Sequence, residues 1–158
     1  MEGMRLSARV DYALRAAIEL AEAGAAERVP VTAEQIATAQ QIPPKFLENI
    51  LVQLRRAGLV RSQRGPVGGH WLSRPATEIS LADVIRAVEG PLANVRGELP
   101  EHVDYQGPAR SLQQVWIALR AAERAILETV TLDAVAGGRL PPRVKELIDD
   151  PQAWAARA

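Results

Sequence analysis

The stretch PPKFLENILVQLRRAGLVRSQRGPVGGHWL, residues 43–72, decides the fold. Its first half predicts a helix that begins at Pro43-Pro44, because proline suits the first helical turn, where its missing N–H costs nothing. Gly58 is expected to end this helix. One face is apolar, with three- and four-residue spacing typical of a helix that packs on a core, and it consists of Phe46, Leu47, Ile50, Leu51 and Leu54.

The second half of the stretch predicts a β-hairpin. Two short apolar pieces, Leu59-Val60 and His70-Trp71-Leu72, flank the segment RSQRGPVGG, which contains three glycines and a proline. Such turn-rich residues between two short apolar runs are typical of a hairpin with a loose loop.

Two more helices are expected before this stretch. Ser7 fits the cap of a helix that runs to Gly24, and Thr32 with Gln35 fits a capping box at the start of a short second helix. The predicted elements therefore follow the order of a winged helix-turn-helix: helix, short helix, turn, helix and hairpin.

The C-terminal half predicts more helix. A helix is expected from about Ser80 to Glu89, and residues 90–108, with three Gly, three Pro and no periodicity, predict a long loop. A long helix is expected over roughly 109–130, and a short one from Pro141 to Ile148. The predicted fold class is therefore mainly α with a small two-stranded β wing: a winged helix-turn-helix plus a long C-terminal helix.

Composition excludes several classes of protein. The chain has 158 residues, enough for one domain with a core, and no cysteine, which excludes disulfides, thiolate zinc sites and all-cysteine iron–sulfur ligation. We see no apolar run of membrane-spanning length and no export signal, so we expect a cytoplasmic protein. With two His and no glycine-rich phosphate loop, no catalytic centre is visible, and we expect no enzyme.

Charge is unevenly distributed along a chain whose net charge is zero. Residues 42–75 carry six basic residues against Glu48 alone, whereas residues 76–158 carry nine basic and twelve acidic residues. One basic segment on a neutral chain indicates a DNA-reading face. The plainer alternative is that arginine is simply the main surface cation, since the chain has only two lysines.

The helix from Pro43 is the candidate for the major groove. Lys45, Glu48 and Asn49 lie within its first two turns, the end that usually reaches base edges. A carboxylate is repelled by phosphates, so Glu48 suggests a hydrogen bond from cytosine N4. Arg64, on the thin hairpin loop, can enter a minor groove. A solvated helix face explains the helix residues equally simply, and His70 is more simply a strand residue packed at the base of the wing.

Five segments resemble the Rrf2 family of bacterial transcriptional regulators, over roughly residues 1–135. The segments are RLSARVDYALR (5–15), KFLENILVQLRRAGLV (45–60), RGPVGGHWL (64–72), LADVIRAVEG (81–90) and TLDAV (131–135).

The resemblance implies a homodimer whose long helices pair and whose recognition helices read a palindromic site, with Glu48 on a base and Arg64 in the minor groove. Family members often have a small polar residue at the position of Lys45. We therefore predict two sets of residues. The predicted DNA contacts are Arg5, Lys45, Phe46, Glu48, Asn49, Gln53, Arg56, Arg64, Gly65 and His70, and the predicted dimer contacts are Leu112, Val115, Trp116, Leu119, Ala122 and Ile126. Core packing within one subunit would also explain the second set.

The chain departs from the resemblance at one point. Many relatives hold an iron–sulfur cluster with three cysteines in the loop before the long helix, and in some an aspartate matching Asp11 completes the ligands. The loop here has no cysteine, so we predict no cofactor and interpret Asp11 as a favourable charge in a helical first turn. The loop does contain acidic and imidazole side chains, a weak candidate for a metal site: Glu98, Glu101, His102 and Asp104.

Together these observations predict a DNA-binding regulator, with repression as the expected outcome. The expected organisation is a winged helix-turn-helix domain (1–90), a loop that senses or couples a signal (91–108), a dimerisation helix (109–136) and a C-terminal tail with a short helix (137–158). A small molecule or a protein partner would be the effector. The alternative is a winged-helix module that binds protein and not DNA, in which Lys45 and Arg64 would be replaceable.

Overall fold

The computed structural model describes residues 6–24, 29–92 and 94–157. The fold is mainly α-helical with one two-stranded antiparallel sheet, which confirms the expected fold class. Short 3-10 turns connect several of the elements. In chain order the elements are α1 (Ala8–Ala23), α2 (Ala33–Gln40), α3 (Pro44–Arg56), β1 (Val60–Gln63), β2 (Gly69–Leu72), α4 (Leu81–Glu89), α5 (Leu112–Leu127), α6 (Leu132–Ala136) and α7 (Pro142–Ile148).

Side-chain caps set the starts of the first, second and fourth helices, as the sequence predicted. The Ser7 hydroxyl accepts from the backbone N–H of Val10 at 3.2 Å. Thr32 and Gln35 form a reciprocal capping box at α2, and so do Ser80 and Asp83 at α4. Each cap satisfies N–H groups that the first helical turn leaves without partners.

The turn between α2 and α3 is short and tight. Gln41 adopts the left-handed conformation, with φ 53°, and its backbone N–H bonds to Ala37 O. Ile42 then enters the core with 3% of its surface exposed. α3 follows directly from Pro43, so three residues reorient the chain between the two helices of the helix-turn-helix.

The core lies between α1, α3, α4 and α6. α1 packs against both α4 and α6, and α3 packs against α1, α4 and β1. The core is aliphatic, and its fully buried side chains include Leu20, Ile36, Leu47, Ile50, Leu54, Ile79 and Leu132.

The wing is the hairpin formed by β1 and β2. Its register pairs Val60 with Leu72 and Gln63 with Gly69. A bridge to Val31 extends the hairpin sideways, through backbone bonds between Val31 and His70. This bridge attaches the second strand of the wing to the chain just before α2.

Helix α5 is shorter than the 109–130 expected from sequence. A 3-10 turn over Gly107–Ala109 replaces its start, and the Thr129 hydroxyl bonds the carbonyls of Ala125 and Ile126 at its end. Of the residues of α5, all of which the structure describes, Glu123 alone is buried. Most of this helix therefore stands clear of the core.

The segment before α5 is irregular, as expected, but it is packed. Val95, Pro100 and Val103 are buried. The Gln113 amide donates to the carbonyls of Pro100, Glu101 and Val103. These bonds hold the loop against the first turn of α5.

The C-terminal tail forms α7 and a 3-10 turn over Pro151–Trp154. Trp154 is 75% exposed, and its indole N–H donates to Ile148 O at 2.6 Å. Within the described residues, no helix has the length and apolarity that a membrane crossing demands.

Candidate nucleic-acid interface

Helix α3 presents a polar face to solvent. Lys45, Glu48 and Asn49 are exposed, while the opposite face of the helix is buried. Its N-terminus has no side-chain cap, because the cap residue is Pro43, whose side chain has no hydrogen-bonding group. The first turn therefore offers backbone N–H groups and polar side chains in the same place.

Phe46 corrects one sequence expectation. We placed it on the apolar face of the helix, but its side chain is 54% exposed. The reason is that the buried stripe of α3 consists of Leu47, Ile50, Leu51 and Leu54, and Phe46 lies at its edge. There the Phe46 ring lies 6.0 Å from the ring of Tyr12, and Tyr12 also carries the Arg15 guanidinium over its face at 4.8 Å. Phe46 thus has the Tyr12 ring beside it, and about half of its surface is open to solvent.

Gln53 and Arg56, two predicted contacts further along α3, differ in their surroundings. Gln53 is half-buried and accepts a hydrogen bond from Arg9 Nε at 3.0 Å, so it links α3 to α1. Arg56 is exposed. Sequence reasoning did not single out Arg9, because a contact across 44 residues leaves no trace in local spacing. The predicted contact Arg5 lies outside the described residues.

The wing tip carries Arg64 and Gly65, both exposed. Gly65 has φ 109°, a conformation that favours glycine. Its carbonyl accepts from Gly68 N at 2.9 Å, which closes the loop into a four-residue turn. The loop that the sequence indicated as loose is therefore hydrogen-bonded at its tip.

His70 lies in the half of β2 nearer the wing tip, one residue after Gly69, which pairs with Gln63 where the tip loop closes. It pairs with Ser62 in the hairpin, and its backbone bonds to Val31 on the other side. Burial, and next the nearby Arg55 cation, lower the pKa of the His70 imidazole below its ordinary value. His70 is thus a neutral, half-buried strand residue, the simpler of the two interpretations of the sequence.

Most cations of the basic segment, residues 42–75, have no ion-pair partner among the described residues. Within residues 6–24, 29–92 and 94–157, no ion pair involves five of its six basic residues, and Arg74 is the exception, at 3.5 Å from Asp83. Over residues 76–158, by contrast, more than half of the nine basic residues pair with a carboxylate, and Arg86, Arg120 and Arg139 are examples. The five are Lys45, Arg55, Arg56, Arg61 and Arg64.

Two of these cations, Arg55 and Arg61, were counted in the charge balance but were absent from the predicted site. Arg55 is exposed at the C-terminal end of α3 and lies close enough to His70 to affect its pKa. Arg61 is exposed on β1. Both belong to the basic segment, so the charge count could have placed them among the predicted DNA contacts.

The predicted dimer residues divide into two groups on α5. Leu112, Val115 and Leu119 are exposed, at 40%, 53% and 37%, and Ala122 is exposed with them. Trp116 and Ile126 are half-buried, and the Trp116 indole N–H donates to the Tyr105 hydroxyl at 2.9 Å. The stripe therefore has an open apolar part and a part that packs within its own chain.

Comparison with known proteins decides the family. A family model described as an iron-dependent transcriptional regulator, Rrf2, matches residues 6–138. The chain belongs to the Rrf2 family. The match confirms the resemblance found in the sequence. The chain is therefore a DNA-binding transcriptional regulator, and its family consists of regulators and not of enzymes.

Rrf2 relatives cover most of the chain. A Mycobacterium tuberculosis protein named as an HTH-type transcriptional regulator, Rv1287, is 51% identical over 154 residues, which is 95% of this chain and 92% of that protein. The regulator CymR of Bacillus subtilis is 33% identical over 84% of this chain and 90% of its own length.

Solved Rrf2 structures share the fold. The structure of B. subtilis CymR, described there as the global cysteine regulator, has a TM-score of 0.71 at 32% identity and covers 85% of this chain and 98% of that one. T. potens IscR has a TM-score of 0.65 at 26% identity and covers 99% of this chain and 95% of that one.

The iron in the family description does not fit the donors that this chain supplies. There is no cysteine, so no thiolate is available for a cluster. Of the four candidate donors in the loop, Glu101 already pairs with Arg120 at 2.5 Å. No group of three or more His, Asp or Glu side chains suited to a metal occurs among the residues that the structure describes. Asp11 pairs with Arg15 at 2.9 Å.

Proposed function

We propose that this regulator acts as a homodimer that binds a palindromic double-stranded operator through α3 and the wing, and that it represses transcription. The observation that carries the proposal is a set of five cations on α3, β1 and the wing loop that have no ion-pair partner among the residues that the structure describes. Unpaired cations at a protein surface favour a polyanion, because neutralised phosphates release condensed counterions. The second candidate function is binding of a protein partner. A basic wing tip is not needed for that function, so we favour DNA.

The roles within the interface follow from exposure and chemistry. Lys45, Glu48 and Asn49 occupy the exposed first turns of α3, the part that reaches base edges in helix-turn-helix proteins. We assign Glu48 to a base because a carboxylate gains nothing near phosphates and can accept from cytosine N4. We assign Arg64 to the minor groove, where narrow A·T-rich stretches concentrate negative potential.

We assign dimerisation to the open face of α5. Leu112, Val115 and Leu119 are exposed on one helix, and contiguous apolar surface of this kind marks an interaction site. A two-fold axis would bring the same patch from two copies together, since such interfaces are self-complementary. A symmetric dimer reads a symmetric operator, with recognition helices about 34 Å apart.

We infer that the loop before α5 couples an effector to the dimer. Its bonds to Gln113 and the Glu101–Arg120 ion pair join it to the dimerisation helix, so a change in the loop is expected to alter how the two recognition helices are spaced. Deleting residues 94–106 without any change in operator affinity or in regulation would contradict this role.

We also propose that the regulator works without an iron–sulfur cluster. The absence of cysteine supports this proposal. Protein purified without oxygen should contain no stoichiometric iron and should bind its operator equally well before and after chelator treatment. Stoichiometric iron, with DNA binding lost on chelation, would contradict it.

Sedimentation and operator titration test the dimer. Wild-type protein should sediment as a dimer and bind a symmetric operator selected from random DNA with two chains per site. Leu119→Glu should sediment as a monomer and should bind the symmetric operator no more tightly than a single half-site. Leu147→Glu, a similarly exposed leucine on α7 at 39% exposure, is the matched control. Equal sedimentation of all three would exclude α5 as the interface.

Repression has its own test. A dimer bound across two half-sites covers the promoter DNA between them, so it blocks access to that DNA. A reporter gene driven by the operator-bearing promoter should increase in expression when this regulator is deleted. A decrease in expression would show activation instead.

A further inference from the structure

Val67 lies at the tip of the wing with 77% of its side chain exposed. Among the large apolar side chains that the structure describes, none is more exposed. Scattered exposed apolar residues are ordinary, but this one stands three residues after Arg64 on the part of the wing that projects furthest. Val67 is not part of the core, so we look for its role in contacts between the wing tip and a ligand.

The tip is a defined turn. The Gly65 carbonyl accepts from Gly68 N at 2.9 Å, with Pro66 second and Val67 third in the turn. Pro66 has a fixed φ, which suits the second position. Val67 has no positive φ, which excludes a type II turn and leaves the side chain on a stiff, outward-facing corner.

The two residues that follow Val67 are closely packed against neighbouring backbone. A Cβ at Gly68 would lie 2.2 Å from the Gln63 carbonyl oxygen, and a Cβ at Gly69 would lie 2.8 Å from the Val31 backbone. The strands thus approach each other and Val31 as closely as glycine permits. The turn that carries Val67 is therefore held by close backbone packing on its C-terminal side.

We propose that Val67 is a specificity-determining residue, which packs against the walls of the minor groove and rejects guanine there. This inference rests on the proposed function, in which Arg64 of the same loop enters that groove. The minor groove is about 6 Å wide, and a G·C pair places an amino group on its floor that an A·T pair lacks. Proteins that bind the minor groove frequently place apolar side chains in it. Arg64 supplies charge, and Val67 supplies shape.

The test compares Val67→Ser with the wild type and with Val67→Ile on three operators. The operators carry A·T, G·C or inosine·cytosine pairs at the steps that the wing protects, since inosine lacks the guanine amino group. Titrations are repeated over a salt series, and thermal unfolding confirms that the exposed substitutions leave the fold intact. The probes are defined duplexes, with the symmetric operator selected as above.

The wild type and Val67→Ile should bind the A·T and inosine operators about tenfold more tightly than the G·C operator, as expected for contact by one branched apolar side chain. Val67→Ser should lose the preference for inosine·cytosine over G·C and keep the part of the A·T preference that Arg64 supplies. The slope of affinity against salt should not change, because no phosphate contact is removed. Equal preferences in Val67→Ser and the wild type would overturn this inference alone. No specific binding by the wild type would overturn the proposed function with it.

Discussion

Val31 and His70 exchange both backbone hydrogen bonds, with N–O distances of 2.9 and 2.7 Å. Val31 immediately precedes Thr32, the cap of α2, and His70 lies in the second strand of the wing. The helix-turn-helix and the wing are therefore held by one backbone ladder. Any change that separates these two residues should move the wing relative to α3.

Gly69→Ala should separate them. Gly69 has φ 152°, and an added Cβ would lie 2.8 Å from the backbone of Val31, which cannot move aside cheaply. We expect the free energy of unfolding to fall by about 1–3 kcal/mol, the usual cost of forcing extra atoms into a packed site. Chemical denaturation measures it, and operator affinity should fall as well.

Gly65→Ala is the matched control for that substitution. Gly65 also has a positive φ, 109°, but a Cβ there meets no atom within 4 Å. It shares the backbone strain without the collision. Equal destabilisation by both substitutions would show that the Val31–His70 ladder does not depend on the close approach at Gly69.

Glu48→Ala should relax base preference at one position of each half-site. Loss of an acceptor for cytosine N4 removes about 1–3 kcal/mol of discrimination, while affinity for random DNA should rise because the carboxylate no longer repels phosphates. Titration of single-base operator variants measures both effects. Glu146→Ala, an equal change of charge on α7, is the control. An unchanged preference in Glu48→Ala would remove Glu48 from the reading surface.

Arg64→Ala should weaken binding most where the operator flanks are A·T-rich. The Arg64 guanidinium has no ion-pair partner among the described residues. Its removal therefore leaves no carboxylate without a partner, and we expect the loss of affinity to report the DNA contact alone. The salt slope should fall by about one if the side chain also neutralises a phosphate. Arg143→Ala, which removes the same charge from α7, should change neither value. Identical behaviour of the two variants would place Arg64 outside the interface.

Glu123 should make stability depend on pH. It is 6% exposed, its Oε2 atom has no hydrogen-bond partner among the described residues, and burial raises its pKa above the ordinary value. Folding therefore favours the protonated acid, so the stabilisation is present at low pH and is lost as pH rises through the raised pKa.

Glu123→Gln keeps the shape of that side chain and removes its titration. Its melting temperature should exceed that of the wild type at about pH 7.5, with the difference shrinking as the pH falls to about 4.5. Calorimetry across that range checks the sign. A constant difference between the two proteins at all pH values would mean that Glu123 does not titrate in this range.

Local patterns predicted the elements well, because their causes are local. The Thr32 and Ser80 capping boxes, the prolines at the start of α3 and the glycines of the wing act within a few residues of one another. The basic segment on α3 and the wing could be read directly from charge.

Contacts between distant residues could not be read in this way. The Arg9–Gln53 hydrogen bond, the exposure of Phe46 beside Tyr12 and the ladder between Val31 and His70 depend on how elements pack. The same is true of the loop before α5, which is buried at Val95 and Val103 although its sequence has no periodicity.

The central claim is that the unpaired cations of α3 and the wing bind a specific DNA site. The most direct test titrates purified, metal-free protein against the DNA upstream of its own gene over a salt series, with unrelated DNA of equal length alongside. We predict tight, sequence-dependent binding by two chains per site, with an affinity that falls steeply as salt rises. Equal affinity for both DNAs at every salt concentration would contradict the claim.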